Sequence, residues 1–171
     1  MKKAVLWMFM MCFVVCSVGC MGEGLPSDKP LSLTGYGTEN FDGQSHLDLR
    51  AIEGGKVLLS CWNEEFKIEF DVPLESLLEL VEKGRKVGEA IPEDKVYLDE
   101  YIGEMKNNDR IGVYQKVQFS VYTGDRNRKY LLGLTLFRFC PVGGDGDDTG
   151  DVTICLIPEK VEKLEKILRA S

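Results

Sequence analysis

The residues best suited to chemistry form a loop of glycines and acids between two apolar segments. The ligand-type oxygens recur at Asp145, Asp147, Thr149 and Asp151. Oxygens at alternate positions wrap a hard cation and glycine permits the tight turn, so this set predicts a weak calcium site. The bidentate Glu of such a motif would fall at Leu156. The alternative is an exposed hairpin loop, in which Gly and Asp are common and no cofactor is bound.

Two cysteines flank this loop and offer a different chemistry. Cys140 and Cys155 could form a disulfide across the hairpin that the loop closes, and an oxidising compartment would permit it. The bridge would contribute about 3 kcal/mol in the chain-entropy model. Alternation opposes it, because Cys155 is out of phase with the apolar residues beside it. Buried free thiols are the alternative, and Cys61 is expected in the core.

The other residue types that carry catalysis are sparse or unspecific. His46 is the only histidine, so a Ser-His-Asp or Cys-His site would have to use it. Glu64 and Glu65 are adjacent to each other in the sequence, but acid pairs are frequent in this chain, so this pair is not a specific sign of acid–base catalysis. An exposed Trp62 could anchor a partner, although we expect an aromatic residue in a strand to pack in the core. The sequence identifies no catalytic residues, and no enzyme class is favoured.

The first residues have the layout of a secretory signal. Lys2 and Lys3 precede an apolar stretch that runs from Ala4 to Val18. A short positive segment followed by an apolar one is typical of export, so residues 1–19 are predicted to be a signal peptide. A membrane-spanning helix needs about twenty apolar residues, and an uncleaved N-terminal anchor is therefore the alternative.

The end of this leader, Ser17-Val18-Gly19-Cys20, resembles the lipobox of bacterial lipoproteins. The resemblance implies that the Cys20 thiol receives a diacylglyceryl group and that cleavage makes Cys20 the N-terminus. Gly19 fits the small residue before the cut, whereas Ser17 stands where the family usually has a large aliphatic residue. Several acyl chains on one residue hold a protein stably at a bilayer. The implied location is the cell membrane or outer membrane, with an extracytoplasmic domain; secretion is the alternative.

The net charge narrows the choice of partner. The full chain carries −7, and removal of Lys2 and Lys3 with the leader leaves −9. An acidic domain is repelled by phosphate backbones, so we expect no nucleic-acid partner. Tandem units of three or four strands and a helix resemble single-stranded nucleic-acid binders of the Whirly type, but the charge and the export signal both oppose that function.

The mature chain is predicted to form one α+β domain on a spacer. Residues 20–30 contain Gly, Pro and charged residues and are expected to be a flexible tether, followed by a domain over 31–171. Two tandem βββα units are expected at about 41–90 and 113–171, as an antiparallel sheet packed against two helices. A short edge strand is expected near Leu31, and a short helix between Pro92 and Asn108.

These observations predict an exported lipoprotein that serves as a binding or structural module at the cell envelope. Its expected partners are the lipid bilayer, through acylated Cys20, and another envelope protein. An envelope hydrolase whose site assembles from scattered acids is the main alternative, and a domain on an uncleaved N-terminal anchor is another.

Overall fold

The computed structural model describes residues 24–37, 43–92, 94–95, 98–110, 113–123, 129–139 and 150–171. Over these ranges the chain forms eight strands and two helices. The elements in chain order are β1 (Leu31–Tyr36), β2 (Gln44–Ile52), β3 (Lys56–Trp62), β4 (Lys67–Pro73), α1 (Leu74–Ala90), β5 (Asp99–Arg110), β6 (Val113–Thr123), β7 (Tyr130–Phe139), β8 (Gly150–Leu156) and α2 (Pro158–Ala170).

The predicted α+β fold of two tandem βββα units is wrong. The described part of the chain is mostly β, with 55% in strands, and the strands join in one antiparallel sheet of order β4-β3-β2-β1-β8-β7-β6-β5. The expected edge strand at Leu31 is β1, which lies in the middle of this sheet between β2 and β8. Because β1 pairs on both sides, the two halves cannot be separate units.

The second error concerns the segment between Pro92 and Asn108. Its apolar spacing suggested a short helix, but Asp99–Arg110 forms β5 and pairs along its length with β6. The register shifts between Tyr101 and Gly103. This bulge breaks the two-residue alternation that marks a strand, which is why the sequence pattern misled.

The sheet curls so strongly that its two ends approach each other. The Gln115 side chain on β6 donates a hydrogen bond to the Glu69 carbonyl oxygen on β4 at 3.2 Å. Asn107 on β5 reaches Asp71 on β4 at 3.4 Å. The inward faces of the strands therefore enclose one continuous apolar core, and the residues with no more than 1% exposure include Leu47, Leu49, Leu59, Val117, Phe119, Leu134, Leu136 and Ile154.

Two helices cover the sheet and are joined by an ion network. Helix α1 buries Leu77, Val81, Gly84 and Gly88, at the spacing expected of an amphipathic helix. Glu165 on α2, 7% exposed, accepts a hydrogen bond from Arg85 on α1 at 2.5 Å. Burial opposes its charge, yet the bonds from its arginine partners lower the pKa of the Glu165 carboxyl overall.

The segment before β1 is part of the folded domain. Leu25 is 9% exposed and belongs to the core cluster. Its amide donates to the Ser171 hydroxyl at 2.7 Å, and the Pro26 carbonyl accepts from the Ala51 amide at 3.2 Å. Part of the predicted tether over residues 20–30 is thus packed on the domain.

Within the described ranges, no helix is long and apolar enough to cross a membrane. The leader over residues 1–19, with its predicted signal peptide, and the lipobox residue Cys20 lie outside those ranges.

A Gly88→Ala substitution tests the packing of α1 on the sheet. A Cβ at Gly88 would lie 2.4 Å from the ring of Tyr130. Alanine is the better helix former by about 1 kcal/mol, but overpacking costs roughly 1–3 kcal/mol. We expect the free energy of urea unfolding to fall. Gly43→Ala is the control, because a Cβ there meets no described atom within 4 Å. Equal stability of the two variants would contradict this packing.

Candidate functional site

The turn between β3 and β4 is a rigid feature at one end of the sheet. The Asn63 side-chain oxygen accepts hydrogen bonds from the amides of Glu65 at 2.9 Å and Phe66 at 2.8 Å. The Asn63 amide closes the turn by donating to the Phe66 carbonyl at 3.0 Å. An Asn at the first position of a turn is preferred because it satisfies these amides. With its backbone fixed, the turn holds the side chains of Glu64, Glu65 and Phe66 outward.

Two recesses lie on either side of this turn. The first, here called the turn cleft, has a volume of about 750 Å³ and is lined by polar residues from β2 and β8 as well as the turn, among them Gln44, Ser45, Asp151 and Thr153. The second, the indole recess, has a volume of about 480 Å³ and lies against Trp62, Asp48 and Lys67. Phe66 lines both recesses. A ligand that straddles the turn would therefore contact Phe66 on either side.

Trp62 is held in place by its neighbours on the outer face of the sheet. Its ring stacks on His46 with 3.9 Å between centroids and 9° between planes. Its indole nitrogen donates to Asp48 at 3.3 Å, and Asp48 also accepts from the Ser32 hydroxyl at 2.6 Å. Trp62 is 36% exposed, so the expectation that it packs in the core is wrong. A fixed, partly exposed indole loses little conformational entropy on binding.

Phe66 is exposed at this site, although the alternating pattern of the sequence indicates a buried residue. In the sequence, Phe66 has the same two-residue phase as the inward-facing residues of β4, a pattern typical of burial, but it lies before β4 begins at Lys67. It is 41% exposed, and its ring would be 3.3 Å from a Cβ at Gly150. The start of β8 thus supports one face of Phe66 and leaves the rest open to solvent.

The acids around the turn have no ion-pair partner among the described residues. Lys67, the cation of the indole recess, pairs with Glu69 at 2.8 Å, and this hydrogen bond lowers the pKa of the Glu69 carboxyl. Among the described residues, no cation forms an ion pair with Glu64, Glu65 or Asp151. The site therefore presents negative charge beside exposed aromatic rings, which suits a cationic group.

The predicted calcium loop meets this site at one residue. Asp145, Asp147 and Thr149 lie outside the described residues, whereas Asp151 is exposed on β8 in the wall of the turn cleft. No group of three His, Cys, Asp or Glu that could hold a metal occurs within the described ranges. The calcium site stays a prediction.

Calorimetry with calcium chloride tests that prediction. If the loop binds calcium, titration releases or absorbs heat, and the melting temperature rises with calcium and falls in chelator, because binding to the folded state alone stabilises it. Asp145→Asn is expected to abolish both effects. No heat and an unchanged melting temperature would eliminate the site.

The cysteines of the described chain are buried. Cys61 and Cys155 are free thiols with 0% exposure, and burial raises the pKa of each to about 12. Cys155 pairs with Gly133 on β7. Cα atoms in a disulfide are about 4.4–6.8 Å apart. Cys140 lies outside the described residues, so the bridge stays a prediction.

Thiol labelling distinguishes buried thiols from a bridge. At pH 8 a pKa near 12 leaves little thiolate, so labelling of Cys61 and Cys155 in the folded protein should be slower by roughly a thousandfold than for an ordinary thiol. After unfolding without reductant, peptide mass spectrometry should find both alkylated. A Cys155 that requires reductant before it reacts would instead establish a disulfide.

Comparison with known proteins adds no family assignment: no protein-family model matches the sequence, and no curated protein matches it.

Proposed function

We propose that this protein is an exported, lipid-anchored binding module of the cell envelope that uses the β3–β4 turn to bind a partner protein. The observation that carries the proposal is the combination of exposed Phe66 and Trp62 with the carboxylates of Glu64 and Glu65, which pair with no cation in the described part of the chain. Partly exposed aromatic residues beside recesses are typical anchors of protein interfaces. The partner that fits is a segment with basic side chains and an apolar residue.

The anchoring half of the proposal depends on the leader. Lys2 and Lys3 with the apolar stretch favour export, and Gly19-Cys20 favours acylation at Cys20. Intact mass of the protein extracted from membranes tests both steps. A mass that begins at Cys20 with a lipid increment supports the proposal, whereas retention of Met1 contradicts it and favours an uncleaved anchor.

The choice of a basic partner follows from charge complementarity. An acidic surface steers basic partners toward it and repels nucleic acid and anionic lipid. Both recesses are open to solvent, and His46 is stacked on Trp62. An enzyme usually excludes water from its reacting groups, so an open acidic surface favours binding over the alternative of an envelope hydrolase.

Photo-crosslinking in intact cells tests the binding surface. A photoreactive residue at Glu65 should give a crosslinked species with one partner, while the same residue at Tyr101, which is 54% exposed on β5, should give none. The product should weaken when Glu64→Lys is added, because a cation then faces the basic partner. Equal crosslinking from both positions would contradict a specific surface.

Binding measured with the identified partner separates the contributions of ring and charge. Phe66→Ala should weaken affinity by about tenfold, the loss expected of an interface anchor. Tyr101→Ala is the matched control and should bind normally. Because Phe66 also packs at Gly150, melting curves must show that the variant is folded. An unchanged affinity for the folded Phe66→Ala variant would remove Phe66 from the interface.

A further inference from the structure

We infer that the end of the domain formed by Leu25, the turn Glu53–Gly55 and Ser171, here called the anchor end, faces the lipid bilayer. This orientation rests on the proposed acylation of Cys20. It deepens the proposed function, because it fixes which part of the domain lies against the membrane and which part meets a partner.

The segment 24–26 contacts both the end of α2 and the end of β2. Leu25 donates to Ser171 at 2.7 Å, and Ala51, near the end of β2, donates to Pro26 at 3.2 Å. A Cβ at Gly24 would lie 2.9 Å from the Ala170 carbonyl oxygen, so the two backbones are in close contact. Three separate contacts hold the chain where it enters the domain.

The turn between β2 and β3 lies at the same end. Gly54 and Gly55 have φ of 77° and 68°, which only glycine adopts readily, and they close the hairpin directly after Ile52. The Gly55 carbonyl accepts from the Leu74 amide at 2.9 Å, which places the start of α1 there as well. The anchor end is thus built from several elements that are all fixed to the core.

Chain length then limits how far this end can be from the bilayer. Five residue steps separate Cys20 from Leu25, and an extended chain spans at most about 18 Å over that length. A free tether over residues 20–30 would reach about 36 Å and would let the domain turn freely. Docking of Leu25 removes half of that reach.

The β3–β4 turn, where we propose that a partner binds, lies at the opposite end of the same strands. Strand β2 runs from Gln44, in the wall of the turn cleft, to Ala51, which is bonded to Pro26. Seven residue steps of an extended strand cover about 23 Å. With the anchor end against the bilayer, Trp62 and Phe66 point away from it.

The charges at the anchor end would not attract it to anionic lipid, so the orientation depends on the short link to Cys20. Glu53 and Glu75 are acidic, Asp28 is followed by Lys29, and Arg169 is paired with Glu82 at 2.8 Å. Arg50 and Lys56 also lie near this end, but Lys56 is paired with Asp71 at 2.7 Å. The acids and ion pairs of the described residues thus offset the cations here, whereas attraction of anionic lipid takes a cluster of several Lys or Arg. The orientation should therefore be the same on neutral vesicles and in high salt.

Energy transfer from tryptophan to a headgroup acceptor tests the orientation. The chain has two tryptophans, Trp7 in the leader and Trp62, so the processed protein carries Trp62 alone. The protein is extracted from membranes and reconstituted into phosphatidylcholine vesicles that contain a dansyl lipid. Transfer is compared between the wild type and a Trp62→Phe, Glu53→Trp variant, whose donor is at the anchor end.

We expect transfer from position 53 to exceed transfer from Trp62 several-fold, with and without salt. Insertion of ten Gly and Ser residues after Met21 should abolish the difference, because the domain then turns freely. Equal transfer from the two donors in the uninserted protein, or greater transfer from Trp62, would overturn the orientation. Intact mass of the same sample reports the acylation separately, so a failed anchor and a wrong orientation give different results.

Discussion

The structure depends on the junction at which β1 meets β8, because this is where the two halves of the sheet become one. The register pair is Tyr36 with Cys155, and the strands approach so closely that a Cβ at Gly35 would lie 2.5 Å from the Cys155 carbonyl oxygen. Lys160, at the start of α2, also donates to the Thr34 hydroxyl at 2.9 Å. A residue without a side chain is required here, since a larger one would separate the strands.

Because this junction joins strands from opposite halves of the chain, it also sets where the two ends of the domain lie. Strand β1 leads from the docked Leu25 segment toward the turn cleft, and β2 returns from that cleft to Ala51. The Leu25 segment and Ser171 consequently meet at one end, while the β3–β4 turn and Asp151 meet at the other. The proposed anchor at Cys20 and the proposed binding surface at the β3–β4 turn would therefore lie toward opposite ends of the same strands.

The sequence pattern predicted the local elements better than their arrangement. Apolar and charged residues alternate from Ile68 to Val72, which predicts β4, and the spacing of the leucines after Pro73 predicts α1, because each signal comes from one face of one element. The prediction that β1 is an edge strand was wrong, because alternation does not distinguish a central strand from an edge strand. The helix expected before Asn108 was wrong because the bulge at Gly103 removes the strand period. Partner strands are set by contacts between distant residues, which periodicity does not contain.

The same limit explains why the sequence pattern alone does not reveal the candidate site. Phe66 and Trp62 are apolar residues at strand ends, where a one-residue difference decides between core and surface. Only the Asn63 turn, which ends β3 and delays β4 until Lys67, places Phe66 outside the sheet. The charges beside it are equally ordinary in the sequence, where acid pairs are frequent. They become distinctive once Lys67 is seen to pair with Glu69, because no other described cation forms an ion pair with Glu64 or Glu65, and the proposed basic partner would supply one.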